Sequence, residues 1–329
     1  MRRDIAAQPL LSVIAPVYNE ADIVEQFADE LLRTLNGLNA SVRHEILFVN
    51  DGSTDASGEK LEELCASYPA KIKVIHLARN FGHDAAVCAG LDVATGDAVI
   101  LMDSDLQDDP VGIGKFLEKW FEGYDVVYAV RSSRQEPALL RGIFRLFYRI
   151  LGLLANIPIP ADAGNYALMD RRVVDSLVAC KERNRYLPGL RSWVGFRQIG
   201  VPVPRRARYD KRSRVGLRGL WRLAMNAIFS FSYVPILLFR IVGLLSLAIS
   251  LGLILLVLYH KFFTGLAVVA WASQLVAIAF FGGINLLGIS VLGEYVARIY
   301  DEVRGRPIYI IDRMTDRTSG GAWRPDQPT

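Results

Sequence analysis

Residues 98–108 are Ala98-Val99-Ile100-Leu101-Met102-Asp103-Ser104-Asp105-Leu106-Gln107-Asp108, an apolar run that ends in three closely spaced carboxylates. This pattern predicts a buried strand with oxygen ligands at its carboxyl end. Ligands of α/β proteins bind at that edge of the sheet, and Mg²⁺ and Mn²⁺ prefer oxygen donors. We therefore expect a site for a diphosphate and a divalent metal ion, Mg²⁺ or Mn²⁺, with Asp103, Asp105 and Gln107 as the metal ligands.

Short apolar runs alternate with helix-length stretches on both sides of this strand. The predicted strands are residues 11–16, 45–49, 73–77, 98–102 and 125–130. Helical spacing is found in residues 21–38, 54–68, 83–94 and 111–122, with Ser53 and Thr54 available as the N-cap of the second helix. This order predicts an α/β fold, a mainly parallel sheet with helices on both faces. The first strand lacks the glycine-rich turn of a dinucleotide site, which argues against a nicotinamide or flavin enzyme.

Hydrophobic residues make up 52% of the 329 residues, and they are concentrated after residue 233. Residues 241–259 and 262–293 contain no Asp, Glu, Lys or Arg, and each can cross a hydrocarbon core of about 30 Å. The second stretch would extend about 48 Å as one helix, so we expect residues 268–291 to span. The pattern predicts a two-helix transmembrane hairpin, linked near residues 260–265. Arginines on either side of it predict that the N-terminal α/β domain and both termini lie in the cytoplasm.

Residues 205–222, which we call the basic segment, hold eight basic residues and one acidic residue. A positive segment before a membrane span indicates contact with anionic headgroups or phosphate. Nucleic acid is the competing partner, but the adjoining spans favour the lipid bilayer. Residues 217–231 are an interfacial candidate, and residues 141–155 fit either an interfacial helix or a helix packed on the sheet.

These patterns divide the chain into four parts. They are a cytoplasmic α/β domain at residues 1–210, a basic amphipathic juxtamembrane segment at 211–234, two transmembrane helices at 235–293, and a cytoplasmic C-terminal segment at 294–329. The tail beyond Ile311 is polar, and we expect it to be disordered. Three cysteines without a CxxC pair are expected to be core thiols in a reducing compartment.

Three further motifs lie at predicted strand ends. They are Val-Ile-Ala-Pro-Val-Tyr-Asn-Glu at 13–20, Phe-Val-Asn-Asp-Gly-Ser-Thr-Asp at 48–55, and Arg-Asn-Phe-Gly at 79–82. Together with the acidic cluster they resemble the family 2 inverting glycosyltransferases, which have the GT-A fold. The resemblance narrows to polyprenyl-phosphate glycosyltransferases through residues 106–108, 124–131, 168–172, 193–198, 228–232, 293–295 and 298–300. The chain looks most like the bacterial bactoprenol glucosyltransferases and is similar to dolichol-phosphate mannose synthase.

The resemblance implies a metal-dependent enzyme of the bacterial inner membrane. Such an enzyme transfers a hexose, expected to be glucose from UDP-glucose, to polyprenyl (undecaprenyl) phosphate, with inversion, at the cytoplasmic face. A homotetramer is also implied. The nucleotide-sugar contacts carried over by resemblance are Pro16, Tyr18, Asn19, Glu20, Asp51, Ser53, Arg79 and Asp103. The implied lipid-phosphate contacts are Arg131, Arg205, Arg208, Ser213 and Arg214, and the implied catalytic residues are Asp162, Asp105 and Arg131.

One departure concerns the catalytic carboxylate, because the family's Gly-Asp is replaced by Gly164-Asn165. Asp162 is the replacement candidate, and the alternative is that it is only a turn residue.

His83 could reach the diphosphate or be structural, and Glu294 is expected to pair with Arg298. Two other functions stay open, a transferase for another sugar or lipid and a catalytically weak membrane scaffold for envelope glycan assembly.

Overall fold

The computed structural model describes residues 7–38, 42–131, 163–183, 187–204, 206, 234–264 and 271–317. The chain forms two compact units. One unit contains the sheet, its helices and the residues from Pro307 onward, and the other contains the two long apolar helices.

The sheet unit alternates strands and helices in the predicted order. Its elements are β1 Leu10–Val17, α1 Val24–Asn36, β2 Arg43–Asn50, α2 Ser57–Ser67, β3 Ile72–Leu77, α3 His83–Val93, β4 Ala98–Leu101, α4 Gly112–Phe121, β5 Val126–Arg131, β6 Ala163–Asp170, α5 Arg171–Ala179, α6 Leu187–Trp193, β7 Gln198–Val203 and β8 Ile311–Thr315.

The eight strands have the order β7-β5-β6-β4-β1-β2-β3-β8. Strands β1 to β4 pair in parallel, as do β5 and β7, whereas β6 is antiparallel between β4 and β5. The carboxyl ends of β1 to β5 and β7 therefore meet at one edge of the sheet, together with the amino end of β6. We call this the carboxyl edge. The predicted α/β class with a mainly parallel sheet is confirmed.

Two hydrophobic clusters cover the two faces of the sheet. Successive strand residues point to opposite faces, so Val13 belongs to one cluster and Ile14 to the other. Helices α1, α2 and α4 contribute to the first cluster, and α3, α5 and α6 to the second. The prediction of helices on both faces is confirmed.

The start of α2 differs from the prediction that Ser53 or Thr54 caps it. The helix begins at Ser57, whose backbone N–H donates to Asp55 Oδ1 at 3.0 Å. Ser53 and Thr54 bond to Asn19 of the preceding loop instead. The cap prediction was wrong because a contact between two loops competes with the local one.

Strand β8 corrects the expectation that the tail beyond Ile311 is disordered. Residues Ile311–Thr315 pair antiparallel with β3. Without this pairing β3 would be an edge strand with unpaired backbone groups. Thr315 Oγ1 also donates to Glu62 Oε1 at 2.9 Å, and Lys73 Nζ lies 3.4 Å from Asp316 Oδ2.

The second unit contains α7, Val234–Tyr259, which continues as a π-helical turn at His260–Thr264, and α8, Trp271–Val303. Residues Ile236–Leu256 and Phe280–Val303 are long and apolar enough to cross a membrane, and neither stretch is buried. The second stretch lies further toward the C-terminus than the predicted 268–291. Glu294 Oε1 and Arg298 Nε lie 2.9 Å apart, which confirms the predicted pair. The two interfacial candidates, 141–155 and 217–231, lie outside the described residues.

At Gly52, two loops of the carboxyl edge pass close to each other. Its φ is +62°, and a Cβ there would lie 2.4 Å from the carbonyl carbon of Arg79 and 2.5 Å from the nitrogen of Asn80. Both contacts are with backbone, which cannot move aside without displacing a loop.

We therefore expect Gly52→Ala to lower the free energy of unfolding by at least about 1–2 kcal/mol, the cost of a left-handed conformation alone. Gly114→Ala is the matched control, because a Cβ at Gly114 in α4 meets no atom within 4 Å. Alanine should stabilise that helix by about 0.5–1 kcal/mol. Thermal unfolding in detergent measures both, and equal midpoints would contradict the close approach.

Candidate functional site

The carboxyl edge collects the loops that follow β1, β2, β3 and β4. All the predicted nucleotide-sugar residues lie at the end of β1 or on these loops, namely Pro16, Tyr18, Asn19, Glu20, Asp51, Ser53, Arg79 and Asp103. Hydrogen bonds between loops bring several of them together.

The loops after β1 and β2 are joined through Asn19. Its backbone N–H donates to Ser53 Oγ at 3.1 Å, and its Oδ1 accepts from the backbone N–H of Thr54 at 2.8 Å. The φ of Asn19 is +53°, a conformation that asparagine tolerates better than most residues. Tyr18, beside it, is 36% exposed.

The loops after β2 and β3 are joined through Asp51. Its two carboxylate oxygens accept from the backbone N–H groups of Phe81 at 2.7 Å and Gly82 at 3.0 Å. Burial raises the pKa of Asp51, and these two donors oppose that rise. The predicted nucleotide contact Asp51 thus also holds the Arg-Asn-Phe-Gly loop, in which the Arg79 guanidinium lies 4.1 Å from the centre of the Phe81 ring.

Ser104, which is not among the predicted site residues, joins the acidic loop, residues 103–109, to the end of β1 and to the loop after it. Its hydroxyl donates to the carbonyl oxygen of Pro16 at 2.6 Å and also contacts the carboxylate of Glu20. Ser104 is 2% exposed. Its place between two aspartates directly after a buried strand is the signal that could have revealed it.

The predicted metal ligands lie on a tight turn after β4. Asp105 is 8% exposed, and its Oδ1 accepts from the backbone N–H of Gln107 at 3.1 Å. Within the described ranges, no group of three or more His, Cys, Asp or Glu side chains is placed to hold a metal ion. Mg²⁺ commonly binds to one or two carboxylates together with substrate phosphates. The donors Asp103, Asp105 and Gln107 therefore fit an ion that binds with a diphosphate.

His83, the first residue of α3, lies close to both Asn165 and Asp103 of the acidic loop. His83 Nε2 lies 3.5 Å from Asp103 Oδ1 and 3.1 Å from Asn165 Nδ2. Asn165 is near the amino end of β6, which reaches the carboxyl edge because β6 runs antiparallel to β4. The position at which the family often has aspartate thus lies beside the acidic cluster.

Arg206 also contacts the acidic loop. Only Arg205 and Arg208 beside it were predicted as site residues. The backbone N–H of Arg206 donates to the carbonyl oxygen of Gln107 at 2.9 Å. Its guanidinium lies between Glu30 of α1 at 2.7 Å and Asp109 at 3.3 Å.

Comparison with known proteins identifies the family to which the chain belongs. The model of the family described as Glycosyl transferase family 2 matches residues 12–178, which is half of the chain. This range contains all four loops. The chain belongs to glycosyltransferase family 2. The resemblance that the motifs predicted is confirmed.

Three curated relatives extend the similarity beyond the sheet. The chain is 37% identical to the prophage bactoprenol glucosyl transferase homolog of Escherichia coli (strain K12), over 92% of this chain and 99% of that protein. It is 38% identical to the bactoprenol glucosyl transferase of Shigella phage SfII, over 92% and 97% of the two chains. It is 40% identical to the uncharacterized glycosyltransferase YkcC of Bacillus subtilis (strain 168), over 92% and 93%.

Among solved structures, the chain is similar to the mannosyltransferase PcManGT of Pyrobaculum calidifontis in complex with GDP-Man and Mn²⁺. The TM-score is 0.45 with 20% sequence identity, and the match covers 68% of this chain and 63% of that chain.

Most of the residues predicted on the acceptor side of this family 2 glycosyltransferase lie outside the described residues. Arg131 is the last residue of β5 and pairs with Val203 of β7, so its backbone is at the carboxyl edge. The other predicted residues lie outside the described residues, and they are Asp162, Arg205, Arg208, Ser213 and Arg214.

We expect Asp105→Asn to lower metal-dependent sugar transfer at least about 100-fold, because the predicted metal ligand would lose its negative charge. Asparagine keeps an Oδ1 that can accept from Gln107, so the melting temperature should not change. Asp312→Asn, an exposed carboxylate on β8, is the control. Transfer rates measured against Mg²⁺ and Mn²⁺ concentration test this, and unchanged metal stimulation in Asp105→Asn would rule out the ligand assignment.

Proposed function

We propose that the protein transfers glucose from UDP-glucose to a polyprenyl phosphate at the cytoplasmic face of the membrane, with inversion at the anomeric carbon. The observation that carries the proposal is the joining of the acidic loop, through Ser104 and Asn19, to the loops after β1 and β2. Support for a lipid acceptor comes from the two unburied apolar helices and from relatives named bactoprenol glucosyl transferase.

The donor would occupy the carboxyl edge. The nucleotide would contact the loops after β1 and β2, which Asn19 joins, and its diphosphate would lie at Asp103, Asp105 and Gln107. A divalent cation held by these three residues would neutralise charge on the diphosphate as it leaves. The side chains of His83 and Asn165, near Asp103, would then orient the transferred sugar.

The proposed chemistry is a single displacement. A phosphate oxygen of the lipid forms a bond to the anomeric carbon, the bond from that carbon to the donor diphosphate breaks, and UDP leaves with the electron pair. The attacking phosphate is already an anion near neutral pH, so no proton has to be removed from it. The site must supply alignment and charge stabilisation, which is compatible with asparagine at position 165.

Arginines would hold the acceptor. Arg131, at the carboxyl edge, is proposed to contact the lipid phosphate together with Arg205, Arg208, Ser213 and Arg214 of the basic segment. Arg214 has a planar guanidinium, which can bind a phosphate through two parallel hydrogen bonds.

The test is incubation of the purified protein with undecaprenyl phosphate and a panel of nucleotide sugars, with lipid products identified by mass spectrometry. We expect a monohexosyl lipid from UDP-glucose in the presence of Mg²⁺ or Mn²⁺. Product from another sugar alone would change the donor assignment. Absence of product with every donor would favour the membrane scaffold.

We predict that Asp162→Asn lowers kcat with little change in the affinity for the nucleotide, because a residue that positions the acceptor acts mainly in the transition state. Asn165→Asp, which restores the commoner family residue 3.1 Å from His83, should be tolerated or partly rescue that variant. Steady-state kinetics with both substrates varied measure this. Full activity in Asp162→Asn would remove it from the mechanism and favour reliance on the charge of the acceptor.

The proposed orientation predicts which sites a membrane-impermeant maleimide can reach in intact cells. A cysteine at Thr264, in the π-helical turn after α7, should be labelled from outside, and one at Ser319 should not. Cys65 and Cys88 are buried, so replacing Cys180 with serine leaves little background. The reverse labelling pattern would contradict a donor site in the cytoplasm.

A further inference from the structure

We propose that Arg206 is a positioning residue that holds the acidic loop, residues 103–109, in its metal-binding shape. Arg206 lies in the basic segment, so it would also link the acceptor side of the site to the donor side. The inference rests on the proposed function, because it assumes that the loop binds a metal ion and a nucleotide diphosphate.

The backbone contact fixes the middle of the loop. The carbonyl oxygen of Gln107 accepts from the backbone N–H of Arg206 at 2.9 Å, and the N–H of Gln107 donates to Asp105 Oδ1 at 3.1 Å. Both backbone polar groups of this predicted metal ligand are therefore bonded. Leu106, between Asp105 and Gln107, has a φ of +60°, so the turn is in a conformation that leucine rarely adopts. Contacts from outside the loop are needed to keep it there.

The side-chain contacts fix the end of the loop. The Arg206 guanidinium lies 2.7 Å from Glu30 Oε2 of α1 and 3.3 Å from Asp109 Oδ1. Asp109 is the residue at which the loop turns into α4. Its Oδ1 accepts from the N–H of Val111 at 3.1 Å, and its carbonyl oxygen accepts from the hydroxyl of Tyr166 at 3.0 Å. Arg206 thus ties this junction to a separate helix.

Loss of the Arg206 guanidinium is expected to have a small effect on folding and a large effect on the position of the loop. The Arg206 side chain is 46% exposed, and ion pairs at such positions contribute little to folding. A displacement of about 1 Å in a catalytic group can nevertheless cost about 100-fold in rate. Loss of the guanidinium should therefore change metal and donor binding much more than it changes the melting temperature.

The experiment measures UDP binding by calorimetry across a series of Mn²⁺ concentrations, in the full-length protein in detergent. We expect Arg206→Ala to raise the Mn²⁺ concentration needed for half-maximal UDP binding by about tenfold, with an unchanged melting temperature. Arg206→Lys, which keeps the charge but not the planar fork, should recover part of the loss. Glu30→Gln should reproduce part of it, because one of the two anchors is weakened.

Lys119→Ala is the matched control. It removes an exposed ion pair with Glu122 near the far end of α4 and should leave metal-dependent UDP binding as in the wild type. Unchanged UDP binding in Arg206→Ala, with a higher concentration of lipid phosphate needed for transfer, would overturn the inference and make Arg206 a direct acceptor contact. A lower melting temperature with unchanged binding would also overturn it. Absence of UDP binding in the wild type would instead contradict the proposed function.

Discussion

Hydrogen bonds between consecutive loops hold the carboxyl edge together. Parallel strands bring these loops to one edge, but they do not fix their shapes. Asn19 joins the first loop to the second, and Asp51 joins the second to the third. Ser104 joins the fourth to the first through the carboxylate of Glu20, and it also donates to the carbonyl oxygen of Pro16 at the end of β1. Asp51 and Ser104 are buried, so the loss of their partners would be costly, whereas the bonds of Asn19 are exposed. We expect the four loops to hold their arrangement as a unit.

This arrangement suits a reaction whose acceptor is already charged. A hydroxyl acceptor would need a base beside the anomeric carbon, whereas the proposed phosphate acceptor needs alignment and compensation of negative charge. Asn165 beside His83 and Asp103 is compatible with the second case. The basic segment before the apolar helices would then attract the lipid phosphate, and Arg206 would connect that segment to the loop proposed to bind the donor diphosphate.

The sequence was sufficient for the α/β class, the first five strands and the four helices between them, because apolar runs and helical spacing are local signals. It was insufficient where the partner is distant along the chain. Strand β8 is short and mostly polar, and it becomes a strand only by pairing with β3. The cap of α2 was missed because Ser53 and Thr54 bond to Asn19. Arg206 is one of eight basic residues in its segment, and only the folded chain distinguishes it.

The most direct test of a single donor site is hydrogen–deuterium exchange with and without UDP-glucose and Mn²⁺. Peptides that cover Tyr18–Glu20, Asp51–Thr54, Arg79–Gly82 and Asp103–Gln107 should become protected together, at the same nucleotide concentration and only when the metal ion is present. Protection confined to one loop, or equal protection without a divalent cation, would contradict the account.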